Sequence, residues 1–168
     1  ADGEWVNRDR TELMGLNDGG FTNKSLGDLK DMTIDSRGLM WFVNNNHIKP
    51  SFFAYDFTNN GMNSYKSFTN QDGTEVMLNN VRCIAEDTNG NMWIGTNQGP
   101  LMLETDQITA NIPIMTQVKV PRNDGTNYAD YLLAGTDITA CVIDKANRKW
   151  FGTGGAGIYL IGSDNISQ

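Results

Sequence analysis

The chain has 168 residues, 39% of them hydrophobic and 20% charged, and carries a formal net charge of −7. An acidic surface repels phosphate backbones and argues against a nucleic-acid partner. The apolar runs are only a few residues long, far below the roughly 20 needed to span a bilayer, so membrane insertion is not expected.

The chain begins at Ala1 with no initiator Met, signal peptide or lipidation motif, the form a mature or excised fragment takes. Residues 1–25 are read as outer strands of an incomplete unit, because Trp5 lacks the turn spacing that recurs downstream.

From residue 26 onward the chain repeats itself. Leu29 to Phe42, Val81 to Ile94 and Ile138 to Phe151 align without gaps, and the pairs Asp35/Trp41, Asp87/Trp93 and Asp144/Trp150 share one spacing. Each copy predicts two antiparallel strands around a tight turn. The Asp accepts hydrogen bonds from the turn amides. Gly38 and Gly90, with Asn147 in the third copy, supply the positive φ. The Trp opens the second strand with its ring placed to pack between sheets, so all three rings are expected to be buried in equivalent places.

Third strands follow at Phe52 to Tyr55, Leu101 to Leu103 and Ile158 to Ile161, and fourth strands at Ser64 to Thr69 and Ile112 to Val120. Turn signals at Asn70 to Gly73 and Asn123 to Gly125 end the fourth strands. A period of roughly 50 residues with four strands per unit is the mark of a β-propeller. The predicted fold is therefore all-β, with blades over 26–77, 78–134 and 135–168, the last incomplete, and a partial blade over 1–25. Three blades and a fraction do not close a ring, so the chain reads as a fragment of a larger propeller.

Several chemical motifs give way to plainer readings. Gly152-Thr-Gly154-Gly-Ala-Gly157 has the spacing of a dinucleotide fingerprint, but a strand follows where a helix is needed. Asp87-Thr-Asn89-Gly-Asn91 resembles the opening of a calcium loop, yet the later Glu is missing and equivalent positions carry Arg37, Lys145 and Arg148. His47 has no ligand-spaced neighbour. No catalytic residue, metal site or cofactor is assigned. Cys83 and Cys141 sit at offsets that point to opposite strand faces, which argues against a disulfide between equivalent strands and leaves both as small core side chains.

Candidate ligand contacts come from position. Asp28, Asn80 and Asp137 each stand seven residues before the turn Asp, at the start of the first strand. Propeller topology puts them on one face with the second turns, which carry Asn45, Asn46, His47, Lys49, Asn97 and Gln98. Tyr128 and Tyr131, set among polar residues, are placed to stack on a sugar. Phe52 and Phe53 are read as core.

Val81 to Leu103, with Ile84-Ala-Glu-Asp87, Asn89-Gly-Asn-Met-Trp93-Ile-Gly-Thr96 and Gly99-Pro-Leu101, resembles the two-component regulator propeller repeat. Ile138 to Ile161, with Trp150-Phe-Gly-Thr153 and Gly157-Ile-Tyr-Leu160, is similar to a second copy, and Met40-Trp41-Phe42 to a third that lacks the Gly-Thr. The resemblance implies a non-enzymatic module in the periplasm or at the cell surface, recognising a glycan or a protein. Such repeats occur in glycan-detecting sensor halves of hybrid two-component systems and in a surface protein associated with type IX secretion. The stretch from Lys119 to Leu133 looks more like the latter. A propeller lyase using a divalent metal and a purely structural scaffold are the alternatives. Uncovered terminal blades would expose apolar surface, which predicts self-association, for instance two chains closing a six-bladed ring, or packing against missing blades of the same protein.

Overall fold

The computed structural model describes residues 3, 28–45 and 50–162. They are almost entirely β, with one short 3-10 turn at Thr105–Gln107. Strands β1 (Leu29–Ile34), β2 (Met40–Asn44), β3 (Ser51–Asp56) and β4 (Gly61–Tyr65) form an antiparallel meander in chain order. The second sheet contains β5 (Thr69–Asn70), β6 (Val81–Glu86), β7 (Met92–Thr96), β8 (Gly99–Leu103) and β9 (Ile114–Thr116), ordered β5-β9-β8-β7-β6. A hairpin of β10 (Lys119–Pro121) and β11 (Ala129–Tyr131) follows. The third sheet is β12 (Ile138–Ile143), β13 (Lys149–Thr153) and β14 (Ile158–Ile161). These are stacked propeller blades, with β1, β6 and β12 as equivalent first strands.

The recurring turn has one geometry in all three copies. Asp35 Oδ1 accepts the amides of Arg37 and Leu39, both at 2.9 Å. Asp87 and Asp144 do the same for Asn89 and Asn91, and for Ala146 and Arg148. The positive φ falls on Gly38, Gly90 and Asn147, as the sequence predicts. The second carboxylate oxygen accepts the indole N–H of Trp41, Trp93 or Trp150 at 2.7, 3.0 and 3.1 Å. That bond explains the fixed Asp-to-Trp spacing: the carboxylate closes the turn with one oxygen and anchors the ring with the other.

Pairing registers show where each ring points. On one face of the first sheet Trp41 stands beside Ala54, and Val43 beside Phe52 and Tyr65. This face meets the row Ile84, Ile94 and Leu101 of the second sheet, closing the main core. Phe52 stacks on Tyr65 at 4.6 Å between ring centroids, and the Tyr65 hydroxyl donates to the Ile108 carbonyl at 2.7 Å. Trp93, Met102 and Cys83 occupy the far face of the second sheet and meet Phe151 of the third. Trp41 and Trp93 thus point toward the following sheet, and Trp150 lies on the equivalent face of the third. Phe53 lies on the opposite face of the first sheet with Phe42, Tyr55 and Met62, and all four are buried.

Four expectations change. Trp41 and Trp93 are both 0% exposed, but Trp150 is only half-buried, because no described sheet covers its side of β12–β14. The fourth strand of the first blade ends at Tyr65, not Thr69. Phe68 turns into the core and the Asn70 side chain accepts the amides of Asp72 and Thr74, which carries Thr69–Asn70 across to pair parallel with β9. The expected strand over Ile112 to Val120 divides into β9 and β10 around the buried Gln117. The cysteines do point to opposite faces of their own sheets, but opposite faces of successive sheets meet. Cys83 and Cys141 therefore share one inter-sheet core, and both are free thiols.

The first strands also lock neighbouring sheets together. Each breaks register at one residue: Asp31, Arg82 and Thr139. Asp31, at φ 39, accepts the Ile84 amide of the next sheet at 2.8 Å, and Arg82 Nε donates to Asp137 Oδ1 at 2.8 Å. The bulge re-aims a side chain that regular pleating would have pointed elsewhere.

Candidate functional site

The starts of β1, β6 and β12 lie at one end of the three sheets, beside the second turns. One backbone bond repeats there: the amides of Asn45, Asn97 and Gly154 donate to the carbonyls of Asp28, Asn80 and Asp137 at 2.8, 3.4 and 2.9 Å. The offset common to Asp28, Asn80 and Asp137 thus marks a closure between the strand start and the second turn.

Much of the side-chain capacity on this rim serves the fold. Asn97 Oδ1 accepts the amides of Asn79 and Asn80 at 2.9 and 3.0 Å. Asp137 is held by Arg82, and Asp28 lies 3.5 Å from Lys30. Gln98 donates its amide to Thr96 Oγ1 and accepts the Gly135 amide, which packs Leu132 to Thr136 onto this turn. At Gly99 a Cβ would stand 2.7 Å from the Leu133 carbonyl oxygen, and its φ of +98 excludes a side chain in any case. Asn45 Oδ1 is buried and accepts no hydrogen bond among the described residues. Asn46, His47 and Lys49 lie outside the described residues.

Tyr128 and Tyr131 belong to the β10–β11 hairpin rather than to this turn rim. Tyr131 donates its hydroxyl to Asp72 Oδ2 and accepts from Asn70 Nδ2 at 3.1 Å. Lys119 Nζ donates to Asp72 Oδ1 at 2.8 Å and stands 5.9 Å from the centre of the Tyr131 ring. Below them the buried Gln117 accepts from Asn70 Nδ2 at 2.8 Å and exchanges backbone-to-side-chain bonds with Gln71. The Lys119 ammonium holds the Asp72 carboxyl below the usual range, and the Asp72 carboxylate pushes the Tyr131 hydroxyl up. Arg122 grips Asp130 with two bonds across the same hairpin. Tyr128 is 69% exposed. A cation, a carboxylate, a phenol and a free aromatic face are thereby gathered on one hairpin and its support.

A concavity of about 400 Å³ runs along the first strands, lined by Asp31 to Ile34, Ile84 to Glu86 and Cys141 to Val142 with Ile143. Sequence reasoning did not single it out, although alternation along β1 leaves Met32 and Ile34 exposed and is a readable signal. Among the described residues no group of three or more His, Cys, Asp or Glu side chains could hold a metal ion. Gly152 lies in β13, packed on Ala140, residues 154–157 turn into β14, and a strand follows where the fingerprint needs a helix.

Residues 76–98 match the family model described as two component regulator propeller. No curated protein matches the chain. Among solved structures, PorZ superposes with a TM-score of 0.72 over 88% of this chain at 20% identity. It is described as an essential bacterial surface component of the type-IX secretion system of Porphyromonas gingivalis. The extracellular domain of the putative hybrid two component system BT3049 from B. thetaiotaomicron superposes with a TM-score of 0.51 over 86% of this chain at 18% identity. The chain spans 21% of the first protein and 16% of the second. This chain is therefore a run of β-propeller blades, and a stretch of it, residues 76–98, is similar to the two-component regulator propeller repeat.

Proposed function

We propose that this segment is a non-enzymatic binding module that works outside the cytoplasm and recognises a glycan. The observation that carries the reading is the β10–β11 hairpin with its support. Tyr128 offers an exposed aromatic ring at one end of the hairpin, and Tyr131, Asp72 and Lys119 form a pre-organised set of donors and acceptors at the other. Stacking on a ring combined with fixed polar groups is the chemistry that reads a sugar. The surface location described for PorZ and the extracellular location described for the BT3049 domain support a placement outside the cytoplasm. The test is calorimetric titration with neutral and acidic polysaccharides against the parent chain and Tyr128→Ala. Loss of the ring should weaken binding about tenfold without moving the melting point. Binding indifferent to Tyr128 would remove the hairpin from the site.

A second reading, association with protein, is favoured by a different observation. Val142, Ile158 and Leu160 are 59%, 75% and 48% exposed, and they surround the half-buried Trp150 on one face of the third sheet. This apolar face suits a second copy or a further blade of the same kind.

A further inference from the structure

We propose that Cys83 and Cys141 are a disulfide site that clamps the second blade to the third. The inference rests on the stacking of the sheets and is independent of what the module binds. Cys83 pairs with Gly95 across β6–β7, and its sulfur lies over that glycine, where a Cβ would come within 2.3 Å of it. Cys141, from the facing side of β12, directs its thiol at the Trp93 carbonyl at 3.8 Å, two residues away on β7. The two sulfurs thus converge on one short stretch of β7 from opposite sheets, inside the core that also holds Trp93, Ile138 and Phe151.

The surroundings assign the order of events. Cys83 is buried, whereas Cys141 is half-buried and lines the concavity along the first strands. A small disulfide donor reaches Cys141 from that side. The Cys141 thiolate attacks one donor sulfur, the donor S–S bond breaks, and one donor thiolate leaves with a proton. Cys83 then gives up its proton and attacks the Cys141 sulfur of the mixed disulfide, releasing the second donor thiol. The protein loses two electrons and two protons, and the donor disulfide becomes two thiols. The neighbouring Cys83 thiol, then burial, raise the Cys141 thiol above its ordinary value. The first step is therefore slow near neutrality and accelerates as pH rises.

The experiment exposes the folded chain to oxidised glutathione, with a reduced control, and follows thiol count by alkylation and intact mass. Oxidation should remove both alkylatable thiols in a monomeric product two hydrogens lighter. Peptide mapping should show Cys83 joined to Cys141, and the melting midpoint should rise by about 5–10 °C. Cys83→Ser should stop at a glutathione adduct on Cys141, and Cys141→Ser should leave Cys83 unreacted while the chain stays folded. Two thiols that persist through oxidation of the parent chain, or a bond formed only between chains or only in denaturant, would overturn the assignment.

Discussion

Replacing Lys149 by methionine takes away the cation that reaches Asp87 from the neighbouring blade. The Lys149 side chain is fully buried, with Nζ 3.8 Å from Asp87 Oδ2 and 5.6 Å from the centre of the Trp93 ring. At an effective dielectric near 20, unit charges so separated attract by about 4 kcal/mol. Part of that returns when the ammonium is removed, because Nζ has no hydrogen-bond partner among the described residues and its burial is costly. Asp87 keeps the Trp93 indole and the amides of Asn89 and Asn91, so its charge is not left bare. Methionine also fits, since Met92 fills the matching slot against the first sheet. The balance is an expected loss of about 2 kcal/mol. Asn89→Arg should restore most of it, because residue 89 stands from Asp87 as Arg37 stands from Asp35, where Arg37 Nε donates to the carboxylate at 2.9 Å. Urea unfolding followed by tryptophan fluorescence measures both variants and their combination. If Lys149→Met unfolds at the parental midpoint, or if Asn89→Arg stabilises the parent as much as it stabilises the variant, the inter-blade pair is not a determinant of stability.

Trp93→Ala should cost about 3–5 kcal/mol, as large aromatic truncations in closed cores do, and Trp150→Ala about 1–2 kcal/mol, because its ring is open on one side; equal losses in urea unfolding would contradict the placement of the third sheet. The Trp150 indole and the Arg148 amide and guanidinium hold the Asp144 carboxyl down to about 2, against an ordinary 3.8. A depressed carboxyl stabilises the fold above its unfolded value and loses that effect as pH falls through the folded one. Melting measured from pH 5 to pH 2 should therefore drop less steeply in Asp144→Asn than in the parent, and identical slopes would refute the bond's role. The exposed row Val142, Ile158 and Leu160 should drive association visible in sedimentation equilibrium at micromolar concentration, and Leu160→Asp should disperse it; a parent chain that is monomeric there removes this face as an interface.

The fold was legible wherever one local bond enforces a spacing. Asp35, Asp87 and Asp144 must reach both their turn amides and an indole, so the offset to Trp41, Trp93 and Trp150 cannot drift. β5 was not legible, because two residues gain strand character only from a parallel partner far along the chain, and their propensity carries no trace of it. The half-exposure of Trp150 depends on what covers the sheet, which no local pattern encodes. For the candidate site, the common offset of Asp28, Asn80 and Asp137 was readable as a position. The closure it marks was not, because a backbone carbonyl leaves no signature in residue identity. The link from Tyr131 to Asp72 joins residues whose neighbourhood exists only after β5 crosses between sheets.

The turn carboxylates also show how repeats diverge while keeping one physical requirement. Each carboxylate accepts an indole N–H, and for Asp35 and Asp87 this happens at the edge of an apolar core, where a charge without a counter-charge is costly. Asp35 takes its cation from Arg37, at 2.8 Å in its own turn. Asp144 takes it from Arg148, at 2.6 Å in its own turn but at a different position. Asp87 has Asn89 and Asn91 at those two positions and takes its cation from Lys149 of the next sheet. The slot that Lys149 fills is therefore free to be apolar whenever the preceding blade neutralises its own Asp, as it is at Met92, which packs beside Arg37. The same rule constrains whatever covers Trp150. Asp144 is already neutralised, and Arg148 lies 5.7 Å from the centre of the Trp150 ring. A covering sheet that brought a lysine to the matching slot would place a second cation against the first. One that brought a methionine or another apolar side chain would complete the core without a charge to desolvate. On the side of Trp150 that no described residue covers, an apolar surface would therefore fit better than a cationic one, and the reason lies in a residue of the same turn.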